Sequence, residues 1–240
     1  MTHFLLPDDE AIPDPALAEP LAGSPLPTVA AWLAEARASS LITNHDAIAL
    51  ATVDEAGWPQ VRMVLARNLD FEPGSLSFYT NRESPKGRAL DGTGQASAVF
   101  YWDPLSRQVR FRGRVERTSD ADSDAYFATR HPGSQIAAWA SAQSEPIASR
   151  AELIERFEAV AAKYRPEGSA TGGATAASSA DAASQPIPRP PHWGGYRLIA
   201  NRIELWVGRN GRLHDRAVWT RDLDAGDGAE STWSAERLQP

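Results

Sequence analysis

The most constraining feature of the chain is the stretch 108–116, in which small or apolar residues alternate with polar ones without a break. Side chains of an extended strand point alternately to opposite faces, so such a pattern predicts a β-strand that covers a core on one face only. The apolar side consists of Val109, Phe111, Gly113 and Val115. The polar side includes three arginines.

Further strands are predicted on both sides of this one. Short β segments separated by turn signals, such as the one at 54–57, form hairpins between sequence neighbours. We predict strands at 47–53, 60–66, 76–80, 196–206, 214–220 and 233–238. A first helix precedes them all, beginning near Pro27. Its apolar stripe consists of Val29, Trp32, Leu33 and Ala36.

The middle of the chain has the periodicity and capping residues of helices. Ser119 precedes a helix through 124–130, and Ser134 precedes another that runs to residue 139, with a His-Pro-Gly break between them. Ser149 and Glu152 fit a capping box that opens a third helix. Its predicted buried stripe consists of Leu153, Ile154, Phe157, Val160 and Ala161. Strands at both ends with helices between them predict an α+β fold built on an antiparallel barrel.

Length and composition predict a single domain over 26–240. A chain of 240 residues with 42% hydrophobic content can bury one substantial core. Residues 1–25 are rich in Pro, Asp and Glu, which is typical of a flexible segment. Residues 168–184 are almost entirely Ala, Gly, Ser and Thr, so we predict a disordered insertion there, within a loop of the domain.

Charge and residue usage exclude several classes of function. A net charge of −7 argues against nucleic acid or an anionic membrane as the main partner, because both require a basic face. The absence of cysteine excludes disulfides, thiolate metal sites and cysteine nucleophiles, and we assign no metal ligands. The N-terminus lacks the apolar run of a signal peptide, and no stretch approaches the ~20 apolar residues of a membrane span. We therefore expect a cytoplasmic protein.

Two cations and an imidazole occur at alternate positions near the C-terminus: Arg212, His214 and Arg216. If this segment is a strand, all three side chains share one face. Such a row suits the binding of a planar, anionic ligand. It equally suits a solvated edge strand whose charges prevent edge pairing, and these residues alone do not decide between the two.

Neighbouring motifs favour a binding site. The sequences PHWGGYR (191–197), IELW (203–206) and RLHDR (212–216) together resemble the C-terminal signature of the pyridoxine/pyridoxamine 5′-phosphate oxidases, which are FMN enzymes. The resemblance continues, in family order, at 49–54, 62–65, 78–81, 84–87, 107–109, 134–139 and 143–144. It covers the chain from about residue 45 to the end. The fold it implies is the FMN-binding split barrel, in a homodimer with two flavin sites at the subunit interface.

The resemblance also implies the cofactor site. Expected FMN contacts are Arg62, Met63, Val64, Leu65, Tyr79, Thr80, Lys86, Gln108, Gln143, Ser144, Trp193 and Arg216. Among these, Arg62 and Lys86 are the expected phosphate cations. Lys86 has independent support, because Ser84-Pro85-Lys86 is typical of a helix start, where free N–H groups favour a phosphate. Many family members have a basic residue where this chain has Pro85, so one phosphate contact is expected to be missing.

The expected substrate site binds a 5′-phosphate. Tyr126 and Arg130, spaced i and i+4, can converge on one anion, and Ser134 offers a hydroxyl at a predicted helix start. The resemblance assigns these residues to the substrate phosphate and adds Arg67, at a position where the family usually has lysine. Arg62 and Arg67 should face opposite ways on a regular strand, so both line one site only if the strand bends or if they serve different sites of a dimer.

The implied reaction oxidises the 4′ carbon of pyridoxamine or pyridoxine 5′-phosphate, with O2 as acceptor, and yields pyridoxal 5′-phosphate and H2O2. Arg212 and His214 are the expected catalytic residues, which cover the substrate's other face. One alternative is a related FMN oxidase of phenazine-type biosynthesis, acting on a polycyclic aromatic without phosphate. Others are a non-catalytic carrier of flavin or pyridoxal phosphate and an interaction protein on the same scaffold.

Overall fold

The predicted strands pair as antiparallel neighbours in one sheet. The structure, a computed structural model, describes residues 17–72, 74–164, 186–224 and 232–240. Within these ranges the strands are β1 (Ala47–Val53), β2 (Pro59–Leu65), β3 (Asn68–Asp70), β4 (Ser75–Asn81), β5 (Gln95–Trp102), β6 (Arg107–Arg117), β7 (Trp193–Val207), β8 (Asp215–Thr220) and β9 (Ser234–Arg237). The helices are α1 (Leu26–Ala38), α2 (Pro85–Thr93), α3 (Asp120–Ala128), α4 (Pro132–Ala140) and α5 (Arg150–Lys163).

The sheet forks along its longest strand. The strand order is β2-β1-β5-β6-β7-β4-β3, with β8 also paired to β7 and β9 paired to β8. One edge of β7 pairs with β6 along nearly its whole length. On the other edge, the first half of β7 pairs with β4 and the second half pairs with β8. Two separate branches of the sheet therefore leave opposite ends of β7.

The alternation at 108–116 is confirmed. On β6 the apolar residues of the pattern are buried, and the three arginines are exposed. The predicted stripe of α1 is also buried, and it packs in the same core as the sheet. Two strands were not predicted: β3, which is only three residues long, and β5, whose alternation rests partly on Ala and Ser and is therefore weak.

Helix boundaries differ from the prediction around the His-Pro-Gly break. Helix α3 ends at Ala128 rather than at residue 130. His131, not Ser134, caps α4, and its Nδ1 accepts a hydrogen bond from the Gly133 amide at 3.2 Å. Pro132 occupies the first position of α4, where its fixed φ and missing N–H are tolerated. Ser134 therefore lies inside the first turn of the helix.

Helix α5 begins as predicted but does not bury its stripe. Ser149 Oγ accepts a hydrogen bond from the Glu152 amide at 3.1 Å, as in a capping box. No residue of α5 is fully buried, and Leu153 and Ile154 are exposed. The helix packs mainly on α4 and not on the sheet. Helical periodicity shows which side of a helix is apolar, but not how deeply that side is covered.

Two segments depart from the expected chain organisation. Residues 17–25, expected to be flexible, contact the sheet: Leu17 is buried, and its amide donates to Asp215 Oδ2 at 3.0 Å. Residues 210–212 form a 3-10 turn in which Gly211 and Arg212 have positive φ, and β8 begins only at Asp215. The prediction that Arg212, His214 and Arg216 share one face of a strand is therefore wrong, because the Asn-Gly pair makes a turn. The predicted insertion 168–184 and residues 1–16 lie outside the described residues.

Gly113 marks a close approach between β6 and β7. A bulge shifts the register beside it, and a Cβ at this position would lie 1.9 Å from the Ile199 carbonyl oxygen. We expect Gly113→Ala to destabilise the fold by about 3 kcal/mol and to lower Tm by roughly 6–12 °C, because the backbone has to move. Gly92→Ala is the control, since open space surrounds that α2 position. Equal Tm values for both variants would contradict the expected clash.

Candidate functional site

A buried lysine lies in the first turn of α2, as the sequence predicts. Ser84 caps the helix, and Lys86 is 9% exposed. Lys86 Nζ donates to Gln143 Oε1 at 2.5 Å and to Ser84 Oγ at 3.1 Å. Thr80 Oγ1 donates to the same Gln143 oxygen at 3.0 Å. The structure therefore brings together three of the predicted flavin contacts.

Arg62 adds a second cation to this group. Its guanidinium donates to Thr52 Oγ1 at 2.8 Å and to the Leu50 carbonyl at 3.3 Å. Burial, reinforced by the positive charge of Arg62, lowers the pKa of Lys86 to about 8. Neither cation forms an ion pair with a carboxylate in the part of the chain that the structure describes. We call Arg62, Thr80, Lys86 and Gln143 the Lys86 cluster. It has an uncompensated positive charge that suits a bound anion.

A second pair of cations lies on stacked aromatic rings. Tyr79 stacks on Tyr126 with ring centroids 4.1 Å apart, and the Trp193 ring lies 6.2 Å from that of Tyr126. The Arg130 guanidinium lies 4.7 Å from the Trp193 centroid, and that of Arg67 lies 5.9 Å from the Tyr126 centroid. We call these five residues the Arg130 cluster.

The positive charge of the Arg130 cluster is also not neutralised by a carboxylate among the described residues. Arg130 Nη1 is buried and has no hydrogen-bond partner in the described part of the chain. Burial lowers the pKa of Arg130, and the nearby charge of Arg67 contributes to the lowering, whereas Tyr126 opposes it. Neither Arg67 nor Arg130 is ion-paired with a carboxylate among the described residues. An anion between these guanidinium groups would supply the missing acceptor.

Arg62 and Arg67 are an odd number of residues apart, and the end of β2 explains where each of them lies. The strand stops at Leu65, and the Arg67 amide donates to the Ser77 carbonyl of β4 at 2.8 Å. Arg67 therefore leaves the β1 side of the sheet and reaches the Arg130 cluster, while Arg62 stays with Lys86.

A third group forms at the other end of β7. Gln108 on β6 and Arg216 on β8 are both direct cross-strand partners of Trp206 on β7, so the three side chains share one face. The His214 ring lies 4.7 Å from that of Trp206, and its Nδ1 accepts from the Arg209 amide. We call Gln108, Trp206, His214 and Arg216 the Trp206 cluster.

Trp206 lies with the predicted residues Gln108 and Arg216, although sequence reasoning did not name it. The prediction named Trp193, which lies in the Arg130 cluster and not with Gln108 and Arg216. Trp206 belongs to the IELW motif, and the only available signal was its position on a strand next to the RLHDR segment. Arg216 is held by a buried carboxylate, because its Nη2 and Nε both donate to Glu204 Oε1 at 2.7 and 3.2 Å.

The Trp206 cluster and Thr80 of the Lys86 cluster are paired with different parts of β7. Thr80 pairs with Gly194, and Arg216 pairs with Trp206. These β7 positions are 12 residues apart, a path of about 40 Å along an extended strand. The structure therefore separates the predicted site residues into two parts, near opposite ends of β7.

The remaining predicted residues lie near these groups without joining their contacts. On β2, Met63 and Leu65 are exposed, whereas Val64 packs against the core. Ser144 follows Gln143 and has a φ of 71°, which is uncommon for a residue other than glycine. Arg212 is exposed, with a φ of 61°. The Ser134 hydroxyl makes no hydrogen bond within the described ranges.

Two kinds of feature are absent from the described residues. No helix there has both the length and the apolar composition needed to cross a membrane. Groups of three or more His, Cys, Asp or Glu side chains able to hold a metal ion are likewise absent from the described part of the chain.

Two family models match the chain. Residues 34–164 match the model described as pyridoxamine 5′-phosphate oxidase, and residues 193–240 match the model described as the pyridoxine 5′-phosphate oxidase C-terminal dimerisation region. The chain belongs to the pyridoxine/pyridoxamine 5′-phosphate oxidase family. The first match contains the whole Lys86 cluster, and the second contains every member of the Trp206 cluster except Gln108.

Relatives in this family are similar over most of their length. The pyridoxine/pyridoxamine 5′-phosphate oxidase of Myxococcus xanthus is 42% identical over 210 residues, covering 88% of this chain and 89% of its own. That of Burkholderia lata is 45% identical over 209 residues, covering 87% of this chain and 86% of its own. The family resemblance inferred from the motifs is thus confirmed.

Solved structures confirm the fold. PhzG from Burkholderia lata, in complex with tetrahydrophenazine-1-carboxylic acid, aligns with a TM-score of 0.73 and 27% identity, covering 91% of this chain and 94% of that one. A pyridoxamine 5′-phosphate oxidase-related, FMN binding protein from Nostoc punctiforme aligns with a TM-score of 0.64 and 17% identity, covering 89% and 96%. The predicted α+β split barrel of this oxidase family is therefore correct.

Proposed function

We propose that the protein is an FMN-dependent oxidase that converts pyridoxamine or pyridoxine 5′-phosphate to pyridoxal 5′-phosphate, with O2 as acceptor and H2O2 as product. The observation that carries this proposal is the presence of two separate cation pairs without carboxylate partners among the described residues, Arg62 with Lys86 and Arg67 with Arg130. FMN and the substrate each bring one phosphomonoester. The names of the relatives support the same reaction.

The Lys86 cluster fits the phosphate of FMN. Lys86 and Arg62 supply charge, and α2 adds the free N–H groups of its first turn. Thr80 and Gln143 lie beside Lys86 and offer further polar groups. The other flavin contacts that the sequence predicts, Met63, Val64, Leu65, Tyr79, Gln108, Ser144, Trp193 and Arg216, remain part of the proposal.

The Arg130 cluster fits the 5′-phosphate of the substrate. Arg67 and Arg130 can both donate to phosphate oxygens, and the unpartnered Arg130 Nη1 is available for one of those bonds. Tyr126 lies between the two cations and adds a hydroxyl. Ser134, in the first turn of α4, is proposed as a further contact.

FMN held by Arg62 and Lys86 would supply two-electron oxidation at the substrate's 4′ carbon, with O2 as the final acceptor; for the amine substrate, water would hydrolyse the resulting substrate imine and release ammonia. The protein's contribution is to hold the pyridine ring against the flavin at the correct distance. Arg212 and His214 are proposed to cover the other face of the ring. Their positions in a turn before β8, and not in a strand, leave the Arg212 side chain exposed and able to reach a ligand.

In the proposed arrangement of FMN and substrate, a complete site requires two chains. The Trp206 cluster is near one end of β7, and the other two clusters are near the opposite end, so one chain does not bring all the predicted residues to one ligand. Exposed apolar side chains on β2 and β5, among them Val61, Met63 and Tyr101, offer a surface for association. We therefore propose a homodimer in which each flavin contacts both subunits, in keeping with the match to a dimerisation region.

The phenazine-type oxidase is the main alternative, favoured by the structural similarity to PhzG. Two observations favour the vitamin B6 substrate. Identity is 27% to PhzG of Burkholderia lata but 45% to the pyridoxine/pyridoxamine 5′-phosphate oxidase of the same species. The carboxylate of a phenazine-type acid would also bring only one charge and two oxygens to Arg67 and Arg130, whereas a phosphomonoester brings up to two charges and three free oxygens.

The test is to purify the protein, identify its cofactor by chromatography, and follow flavin bleaching anaerobically with pyridoxamine 5′-phosphate and then with a dihydrophenazine. We expect FMN and rapid bleaching with the first substrate only. Bleaching by the dihydrophenazine alone would favour the alternative. Bound flavin that neither compound reduces would indicate a non-catalytic carrier.

The pKa of Lys86 predicts how FMN binding depends on pH. FMN phosphate binds the protonated lysine, whose population falls as the pH rises through about 8. The Kd for FMN should therefore increase by roughly 10-fold per pH unit above that value, measured by quenching of flavin fluorescence. Lys86→Gln should bind weakly with little dependence on pH, and Lys163→Gln, on exposed α5, is the control. A wild-type Kd that stays constant from pH 7 to pH 9.5 would exclude this role of Lys86.

A further inference from the structure

All three guanidinium nitrogens of Arg189 donate hydrogen bonds, and these bonds connect helix α3 to the start of β7. Arg189 lies just before β7, and its side chain is 11% exposed. Nε donates to Asp124 Oδ1 at 2.6 Å, and Nη2 donates to Asp120 Oδ1 at 2.9 Å, both on α3. Nη1 donates to the Trp193 carbonyl at 2.6 Å. Each nitrogen of one planar group therefore has a different acceptor.

A second arginine reinforces the same connection. Arg82, just beyond β4, has Nη1 3.6 Å from Asp120 Oδ1 and donates from Nη2 to the Thr118 carbonyl at 3.3 Å. Its guanidinium lies against Gly194, where a Cβ would be 2.4 Å from the central carbon. Asp120 is thus held between Arg82 and Arg189, and the start of α3 is fixed against the start of β7.

This connection determines the geometry of the Arg130 cluster. Helix α3 carries Tyr126, and Arg130 follows its C-terminus. Trp193 is the residue on which the Arg130 guanidinium lies, and its indole also contacts Phe127 edge-on at 5.0 Å. Arg189 holds the backbone of Trp193 at one end and the first turns of α3 at the other. A change in that distance would move Arg130 and Tyr126 relative to the tryptophan.

We propose that Arg189 is a positioning residue for the phosphate-binding cluster: it sets the separation between α3 and Trp193 and thereby places Arg130 and Tyr126 for a phosphomonoester. The identity of the ligand rests on the proposed function. The partner carboxylates of Asp120 and Asp124 are exposed, and exposed ion pairs usually contribute little. The Arg189 side chain itself is largely buried, however, and it makes three hydrogen bonds in a fixed plane, a pattern that lysine does not reproduce.

The kinetic test compares three variants with wild type. Arg189→Gln should raise KM for pyridoxamine 5′-phosphate about 10-fold with kcat within about 2-fold, because displaced binding groups weaken substrate binding while the flavin end is intact. Arg189→Lys, which keeps the charge and should fold like wild type, should raise KM by a smaller factor. Arg156→Gln, which breaks an exposed ion pair with Glu152 on α5, is the matched control and should leave KM unchanged.

A purely structural role would give a different pattern. It would lower Tm and the active fraction of the protein, hence the apparent kcat, with KM unchanged in both Arg189 variants. That result would overturn the proposal. Asp124→Asn should also raise KM, and combining it with Arg189→Gln should add little, since both changes break the same contact. Fully additive effects would likewise contradict the proposal.

Binding of inorganic phosphate to the FMN-loaded protein, in which the Lys86 cluster is occupied, separates this inference from the proposed function when it is measured by calorimetry at low ionic strength. Wild type should bind phosphate about 10-fold more tightly than Arg189→Gln, whether or not pyridoxamine 5′-phosphate is turned over. If turnover is absent but this difference is found, the proposed reaction fails and the role of Arg189 stands. If wild type and Arg189→Gln bind phosphate equally, the role of Arg189 is excluded, even if the oxidase activity is confirmed.

Discussion

A hybrid dimer of two variants, Arg130→Ala and His214→Ala, assayed at a substrate concentration well below the raised KM of Arg130→Ala, is expected to have about half the activity of a wild-type dimer. The two residues belong to clusters near opposite ends of β7, so each site would combine Arg130 of one chain with His214 of the other. In the hybrid, one site carries both substitutions and the other carries neither. Co-expression with two different affinity tags allows the hybrid to be purified and assayed directly.

The matched control places both substitutions in one chain and pairs it with a wild-type chain. If sites are shared, each site of this dimer has one defective half, and activity should fall close to zero. If each chain forms its own site, the two results exchange: the control keeps half the activity and the first hybrid is inactive. The pair of measurements thus distinguishes the two architectures without depending on absolute rates.

Arg130→Ala is expected to raise KM for pyridoxamine 5′-phosphate by roughly 30- to 1000-fold, equivalent to about 2–4 kcal/mol of charge-assisted binding. Arg130 Nη1 is buried without a partner among the described residues, and we propose that the ligand's phosphate supplies the missing acceptor. FMN binding should be unchanged, because Arg62 and Lys86 belong to a different cluster. Steady-state kinetics and a flavin titration measure the two effects.

The decisive comparison uses pyridoxamine without its phosphate. Wild type should oxidise it poorly, and Arg130→Ala should lose little further activity, since the interaction that Arg130 provides is already absent. An Arg130→Ala variant that handles phosphorylated substrate normally, together with rapid oxidation of a dihydrophenazine, would transfer the assignment to the phenazine-type oxidases.

Predictions from local sequence patterns are confirmed where the structure depends on neighbouring residues only. The strand at 108–116 follows from alternation, α1 follows from its apolar spacing, and the α2 start follows from Ser84 and Pro85. The same kind of reasoning was wrong at Arg212, because the Asn-Gly turn ends the extended pattern before it can place three side chains on one face. It was also wrong for Ser134, since Pro132 starts the helix earlier.

The sequence by itself determined the fold class, the family and all four residues that form the two cation pairs. These depend on periodicity, capping and ordered motifs, which are properties of neighbouring residues. Only the tertiary structure decided that Trp206 and not Trp193 accompanies Gln108 and Arg216, and that the predicted site residues divide between two ends of β7. It also showed which cations have no carboxylate partner among the described residues and that Arg189 reaches Asp120, 69 positions away. Strand register and charge pairing join residues that are distant in the chain, so no local pattern can specify them.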